Sequence, residues 1–439
     1  MKVCVPVSCP SQTLIRPVIS QATDFRMSVN QGDRGNYHDS SSAKRRRDLP
    51  TAQEGIQTDT SGIHFGKLRF PPASSRPPVY SRPKELGTFG YGSDREFVMG
   101  SQELKYYYPA DLNHPSLSEG FDTFIERDST KVENLNGLLN YFIQADHPQF
   151  ERLDNPPIVL YRGVLTKIFC LLYNRRDGFS LSATRFNKVL FLNETKTEAK
   201  KAQETNQSER QKLMCYWGYK FESLSTLSKP CPSDKQELEE LIQERLRSPV
   251  NNHNEHCSVF KSSLDNFRLL MGAEVDCIEG NPNGHAGFPD YVELKTSRIM
   301  KDSHQRNMFE KHKLLKFWTQ SFLAGIPKVI VGFRDDDGKL CSIETFKTLE
   351  IPRLVRSKGH WDPNVCLGFA KQVLGFIVYH AKVDDPYLTY TITYDPANQD
   401  LRLNKEVSPS PHAFLTEAFI KSANMKYEKL KEKLPNRHV

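Results

Sequence analysis

Apolar residues recur at helical spacing over residues 132–142 and 161–173, the second stripe being Leu165, Ile168, Phe169 and Leu172, and again over 211–227. Between these segments, 185–192 reads as a strand, and 193–210 is polar and charged, as a loop or an exposed helix. Residues 229–232 and 248–256 have loop chemistry on either side of a short acidic helix. Two strands follow, 273–279 and 291–296, with Asn281-Pro282-Asn283-Gly284 as the turn between them. A helix over 304–323, a strand over 329–334 opened by Pro327, and a turn at Asp335-Asp336-Asp337-Gly338 into a further strand complete the periodic region. Strands interleaved with amphipathic helices predict an α/β fold: mixed β-sheets flanked by helices, with the active site in a cleft.

The ends lack this periodicity. Residues 1–62 are rich in Ser, Gln, Asp and Pro and are expected as a disordered tail. Within them, Lys44-Arg45-Arg46-Arg47 reads equally as solvated charge or as a nuclear import signal. Pro71, Pro72, Pro77, Pro78 and Pro83 predict an extended segment laid over the surface. Residues 426–439 are basic and expected to fray. One large catalytic domain is therefore placed at 63–425.

Hydrophobic residues make up 38% of the 439, enough for a sizeable core if part of the chain stays outside it. No apolar run reaches the length of a membrane span; 369–379 comes nearest and contains Lys371. The apolar residues 3–7 are too few for a signal peptide and are broken by Pro6, so the expected setting is intracellular and off the membrane. The nine cysteines stand singly with no Cys-x-x-Cys pair, which predicts reduced thiols and excludes a zinc ribbon. The formal charge is +7; residues 1–62 hold eight basic and six acidic side chains, leaving +5 in the body. That excess fits a polyanionic substrate without demanding one.

The informative chemistry lies in Glu274-Val275-Asp276 and Glu293-Leu294-Lys295. Alternate side chains of a strand share a face, so Glu274 pairs with Asp276 and Glu293 with Lys295. If the strands form a hairpin, three carboxylates and one ammonium converge. Crowded carboxylates repel one another unless a cation sits among them, and hard oxygen ligands with open positions suit Mg²⁺ or Mn²⁺, one ion or two. Lys295 can orient a water or offset charge on a phosphate. Either tripeptide alone is ordinarily a solvated strand face; the two together, followed by helix and strand, are similar to the core of PD-(D/E)xK nucleases. Pro289-Asp290 spells that motif literally, but Asp290 is an odd number of positions from Glu293 and faces the other way, so the metal-binding Asp is assigned to Asp276.

At these residues the chain resembles the DXO family of decapping exonucleases. Tyr161-Arg162-Gly163 resembles the motif whose Arg contacts RNA, and Gly218-Tyr219-Lys220-Phe221-Glu222 resembles the one that supplies a metal-binding Glu from a helix. Trp318-Thr319-Gln320-Ser321-Phe322 resembles the helix whose Gln lines the site. The likeness runs from about Gly87 to Ala413. It implies metal ligation by Glu222, Asp276, Glu293 and the Leu294 carbonyl, with Glu274 beside them through water or a second ion, and catalysis by Glu274, Asp276, Glu293 and Lys295. It also implies substrate contacts at Arg95, Glu133, Tyr161, Arg162, Gly163, Cys257, Glu274, Lys295 and Gln320. The implied activity is hydrolysis at RNA 5′ ends, removing incomplete or unconventional caps (NAD caps and 5′-triphosphates included) and degrading the body 5′ to 3′. The implied setting is a nuclear monomer, with the cytoplasm and a 5′–3′ exoribonuclease partner both open. Two alternatives remain at this stage: a DNA nuclease on the same core, and a non-catalytic RNA-binding partner.

Overall fold

Two β-sheets meet where the chain leaves one for the other, and the candidate carboxylates sit at that crossing. The computed structural model describes residues 62–70, 76–113, 116–145, 155–280 and 290–433. Residues 1–61 with the basic run 44–47, the 281–284 turn, and Pro71, Pro72 and Pro289 lie outside the described residues.

The strands in chain order are β1 (Ile63–Lys67), β2 (Lys84–Tyr91), β3 (Phe97–Met99), β4 (Tyr106–Tyr107), β5 (Ile158–Tyr161), β6 (Phe179–Phe186), β7 (Val189–Thr195) and β8 (Thr226–Leu227). The others are β9 (Glu255–Leu264), β10 (Phe267–Glu274), β11 (Cys277–Ile278), β12 (Tyr291–Arg298), β13 (Lys328–Arg334), β14 (Leu340–Lys347), β15 (Tyr390–Asp395) and β16 (Asp400–Lys405). The larger sheet has ten strands in the order β1-β16-β15-β6-β7-β5-β10-β9-β2-β3, and the smaller has six, β14-β13-β12-β11-β4-β8. β5 runs parallel to both its neighbours, β7 and β10, and β12 runs parallel to β13. The expected mixed α/β architecture is thus observed.

Helices α1 (Asn136–Gln144) and α10 (Glu417–Lys433) cover one face of the larger sheet, where Leu138, Leu139 and Phe419 pack with Val259, Leu270 and Phe191. On the other face lie α2 (Arg162–Cys170), α7 (Leu314–Ala324) and α9 (Pro363–His380), which share a core with Val329, Val331 and Phe333 of β13. The outer face of the smaller sheet is closed by α4 (Glu209–Leu224), whose Tyr216, Trp217 and Phe221 pack on Val292, Leu294 and Ile330. A capping box starts α4: the Ser208 hydroxyl accepts from the Gln211 N–H while the Gln211 side chain accepts from the Ser208 N–H.

Several segments depart from the reading of the sequence. Residues 185–192 are not one strand but the turn of the β6–β7 hairpin, with Asn187 and Lys188 both left-handed (φ 48° and 68°). Successive left-handed residues match the twist of a tight hairpin, and Asn tolerates that conformation while Lys gives no warning of it. The helix expected at 132–142 begins only at Asn136, after left-handed Asn134 (φ 44°), and Val132 is exposed. The strand expected at 273–279 breaks after Glu274. The basic stretch expected to fray from residue 426 starts inside α10, where the Lys426 ammonium donates to the Phe142 carbonyl at 3.0 Å, and its residues 434–439 lie outside the described residues.

Other expectations hold. The polar stretch 193–210 carries an exposed helix, α3 (Glu198–Thr205), and the acidic helix is α5 (Lys235–Arg247). The segment expected at 304–323 is helical throughout: α6 (Ser303–Met308), a π-type turn over Phe309–Lys313, and α7. Asp335 closes the acidic turn by accepting from the Asp337 and Lys339 N–H groups, and Gly338 (φ 85°) leaves room for Trp217, which a Cβ there would meet at 2.7 Å. Among the described residues no helix is long and apolar enough to cross a membrane. A short helix, α8 (Ile351–Arg356), follows β14.

Candidate active site

A cavity of about 520 Å³ opens beside the sheet crossing, and its wall includes Arg162, Tyr219, Glu222, Glu274, Asp276, Glu293, Lys295 and Gln320. Each side chain arrives by a different route. β10 ends with Glu274 opposite Cys257 of β9. The Val275 side chain is buried, and its N–H still donates to the His256 carbonyl at 2.9 Å. The chain then enters the smaller sheet at β11, where Cys277 lies opposite Val292 and Ile278 opposite Tyr291. Extending that antiparallel register by one step brings Asp276 to Glu293. β12 alternates as its sequence predicts: Val292 and Leu294 face α4, and Glu293 and Lys295 face away. Glu274 and Asp276 therefore do share the site, although not as alternate positions of one continuous strand.

Arg162 opens α2 at the carboxyl end of β5, beside the end of its parallel neighbour β10. Carboxyl ends of parallel strands are where open α/β sheets place their ligands. Its Nη1 donates to Glu293 Oε2 at 3.1 Å across a buried contact. Lys295 Nζ lies 2.7 Å from Glu293 Oε1 and 3.4 Å from Asp276 Oδ2, and donates to the Leu294 carbonyl at 2.9 Å. The Leu294 N–H in turn donates to Asp276 Oδ2 at 2.6 Å.

The charges at this end of the cavity do not balance. Four carboxylates (Glu222, Glu274, Asp276, Glu293) face Arg162 and Lys295, with Lys105 beside Glu222, so the acids outnumber the cations when all are ionised. Glu293 holds the cations: burial alone would raise its pKa, but Arg162 and Lys295 outweigh it and pull the group down to about 2. The other acids are left short. Burial, helped by the charge of Glu255, pushes Glu274 up to about 7, while burial and the Glu293 and Glu274 charges push Asp276 up to about 6 despite Lys295. Glu222 is raised well above the carboxylate range by burial and by Asp276. Glu274 is reached by solvent through the cavity and enclosed by protein elsewhere. The Gln320 Oε1 atom is buried on the same wall with no hydrogen-bond partner, although an unsatisfied buried acceptor is costly. Among the described residues no three His, Cys, Asp or Glu side chains are already gathered as a metal cluster; Lys295 holds two of the carboxylates instead.

The family described as RAI1 like PD-(D/E)XK nuclease matches residues 81–420. The chain is 40% identical over 306 residues to the decapping nuclease RAI1 of Neurospora crassa, covering 68% of this chain and 73% of the relative. It is 34% identical over 392 residues to the decapping and exoribonuclease protein of Bos taurus, covering 87% and 92%. Its fold superposes on the crystal structure of Candida albicans Rai1 in complex with pU5 and Mn²⁺ with a TM-score of 0.70, at 27% identity, covering 81% of this chain and 97% of that one.

The chain belongs to the RAI1-like PD-(D/E)XK nuclease family.

Within this RAI1-like fold, five of the expected substrate residues do not line the cavity. Tyr161 packs into the gaps left by Gly137 and Gly272, where added Cβ atoms would come within 2.7 Å and 2.9 Å of it. Gly163 is exposed at the start of α2 with open space around it, and Cys257 is buried behind Glu274. Arg95 grips Glu133 with two hydrogen bonds (2.9 and 2.7 Å) and reaches Glu255 Oε2 at 2.7 Å. That places Arg95 and Glu133 as a brace behind Glu255 and Arg127, which are themselves 3.0 Å apart on the cavity wall. Asp290 is exposed and away from the cavity, as its strand parity requires. Glu255, Arg127, Tyr219 and the Asn residues of the 248–254 loop were not singled out from the sequence. No periodicity marks loop amides, and only the paired Arg95–Glu255 geometry exposes Glu255.

Proposed function

We propose that this protein is a divalent-metal-dependent hydrolase of RNA 5′ ends that removes incomplete or unconventional caps, NAD caps included, and degrades the RNA body 5′ to 3′. The observation that carries the reading is the gathering of four carboxylates in excess of their cations at one end of the cavity, beside an orphaned amide oxygen. Oxygen donors in excess of cations suit a hard ion such as Mg²⁺ or Mn²⁺. Glu222, Asp276, Glu293 and the Leu294 carbonyl would hold it, with Glu274 alongside. Such an ion supplies Lewis acidity at the phosphoryl oxygen and a more acidic bound water.

The protein's own groups do the rest. The Glu274 carboxyl, which opens onto the cavity beside Asp276, is placed to take the proton of the attacking water. Lys295, whose ammonium is held charged by Asp276 and Glu293, offsets charge building on the phosphate. Arg162 spends one N–H on Glu293 and keeps others to orient a phosphate oxygen. The Candida relative with pU5 and Mn²⁺ bound supports both the substrate class and the ion class. The test uses 5′-labelled RNAs bearing triphosphate, NAD or incomplete cap ends, with DNA of the same sequence, in Mg²⁺ or Mn²⁺ and in chelator. Release of 5′ products from RNA only, dependent on the ion, is expected; equal cleavage in chelator refutes the reading.

A further inference from the structure

The cavity is far larger than a phosphate and its carboxylates need, and its second half is built differently. Past Glu222 the wall carries Tyr219, Asn251, Asn252, Asn254 and Gln102, and it continues to Leu241 and Arg245 of α5. The charged Glu103, Lys105, Arg127 and Glu255 stand among them, and the Asn254 amide donates to Glu103 at 2.7 Å. Uncharged amides that both donate and accept are the side chains that read nucleobase edges. Tyr219 retains 36% of its surface, unusual for an aromatic ring that is also held in place. Phe124 stacks against the ring at 5.7 Å between centroids and 29° between planes. The hydroxyl is hydrogen-bonded by Asn252, whose Oδ1 accepts the Arg127 N–H at 2.6 Å. The ring is thus fixed by the helix, by a stacked neighbour and by a tethered hydroxyl, so a ligand stacking on it meets a surface already ordered. Tyr219 also lies three positions before Glu222 on α4, on one helical face and about 5 Å along the axis.

Resting on the nuclease reading above, we infer that Tyr219 is the stacking platform for the flat heteroaromatic ring of the 5′-terminal unit of the substrate, with the amides of the 248–254 loop around that ring's edge. One helical turn separates this platform from the carboxylates, so a terminal nucleotide can stack while its linkage to the next residue meets Glu222 and Asp276. Leu241, Glu244 and Arg245 of α5 line the far side of the compartment. The ring can come from the first nucleotide or from a cap, and the two sources share this chemistry.

The test is steady-state hydrolysis, with Mn²⁺, of 5′-monophosphorylated RNA whose first nucleotide carries a base or is abasic, with NAD-capped RNA as a third substrate. Wild-type protein should show a KM roughly ten-fold higher for the abasic RNA at similar kcat, the range expected for one base on one aromatic ring. Tyr219→Leu, which keeps apolar bulk against Phe124, should raise KM for the normal RNA by a similar factor and erase the difference between the two. Tyr219→Phe should preserve the discrimination. A parallel KM rise on NAD-capped RNA assigns the ring to the cap; no rise there assigns it to the first nucleotide. Continued discrimination by Tyr219→Leu, or none by wild type, overturns the inference while leaving the nuclease reading intact. Absence of any hydrolysis by wild type overturns that reading as well.

Discussion

Asp276→Asn should stabilise the metal-free protein near neutral pH while abolishing its hydrolytic activity. Burial and neighbouring carboxylates raise Asp276 from 3.8 to about 6 in the folded state, with its side chain only 10% exposed. The folded protein therefore holds this proton more tightly than the unfolded chain. Stability from the group is complete below pH 3.8 and is lost as pH rises through about 6. A shift of about two pKa units is worth about 3 kcal/mol at most. Asn keeps an oxygen to accept the Leu294 N–H and never ionises, so at about pH 8 the variant escapes that loss. For a folded body of this size the gain is about 4 °C in Tm. Near pH 4 the gap should close, because wild-type Asp276 is then largely protonated. Glu293 does not confuse the comparison: its pKa is depressed to about 2, so its stabilising contribution is complete above 4.5 and lost only as pH falls through about 2. Adding Mn²⁺ at about 1,000 times Kd should reverse the order at pH 8, since about 4.1 kcal/mol of linkage reaches only the protein that binds the ion. The assay is thermal unfolding of both proteins across pH, in chelator and in Mn²⁺. An Asn variant that melts below wild type at pH 8 in chelator would show that the carboxylates are satisfied without a divalent ion, and the argument from charge imbalance would fall.

Four further outcomes follow from the same geometry. Arg162→Lys should lower kcat/KM about 10- to 100-fold, because a single ammonium cannot both hold Glu293 and orient a phosphate; steady-state kinetics on one RNA check this. Lys295→Met should lower kcat about 100-fold or more and raise the apparent pKa of Glu293, visible as an acid limb moved to higher pH in the rate profile; an unchanged profile counts against its role. Gly137→Ala should destabilise by about 1–3 kcal/mol in denaturant unfolding, since its Cβ would stand 2.6 Å from the Tyr91 hydroxyl oxygen and 2.7 Å from that of Tyr161, whereas Tyr161→Phe should leave hydrolysis nearly intact because Tyr161 is not on the cavity wall.

What the sequence determined by itself is what short range dictates. The capping residues of α4, the alternation that turns Glu293 and Lys295 away from Leu294, the acidic turn before β14, and the parity that excludes Asp290 all depend on neighbours a few positions apart. The strand carboxylates Glu274, Asp276 and Glu293 were legible for the same reason, in recognisable local spacing, whereas Glu222 entered only through the resemblance of residues 218–222 to a family motif. Only the tertiary structure decided how they meet. The chain changes sheets between Glu274 and Cys277, so a face that looks continuous in sequence is divided between β10 and β11. Arg162 reaches Glu293 across 131 positions because parallel β5 and β10 end together, and Arg95 is held by Glu133 and Glu255 because those distant segments converge on it. Strand pairing and ion pairing between distant segments depend on which surfaces are buried together, and the balance of burial against buried cations sets the sign of each carboxylate's shift. No local pattern encodes that.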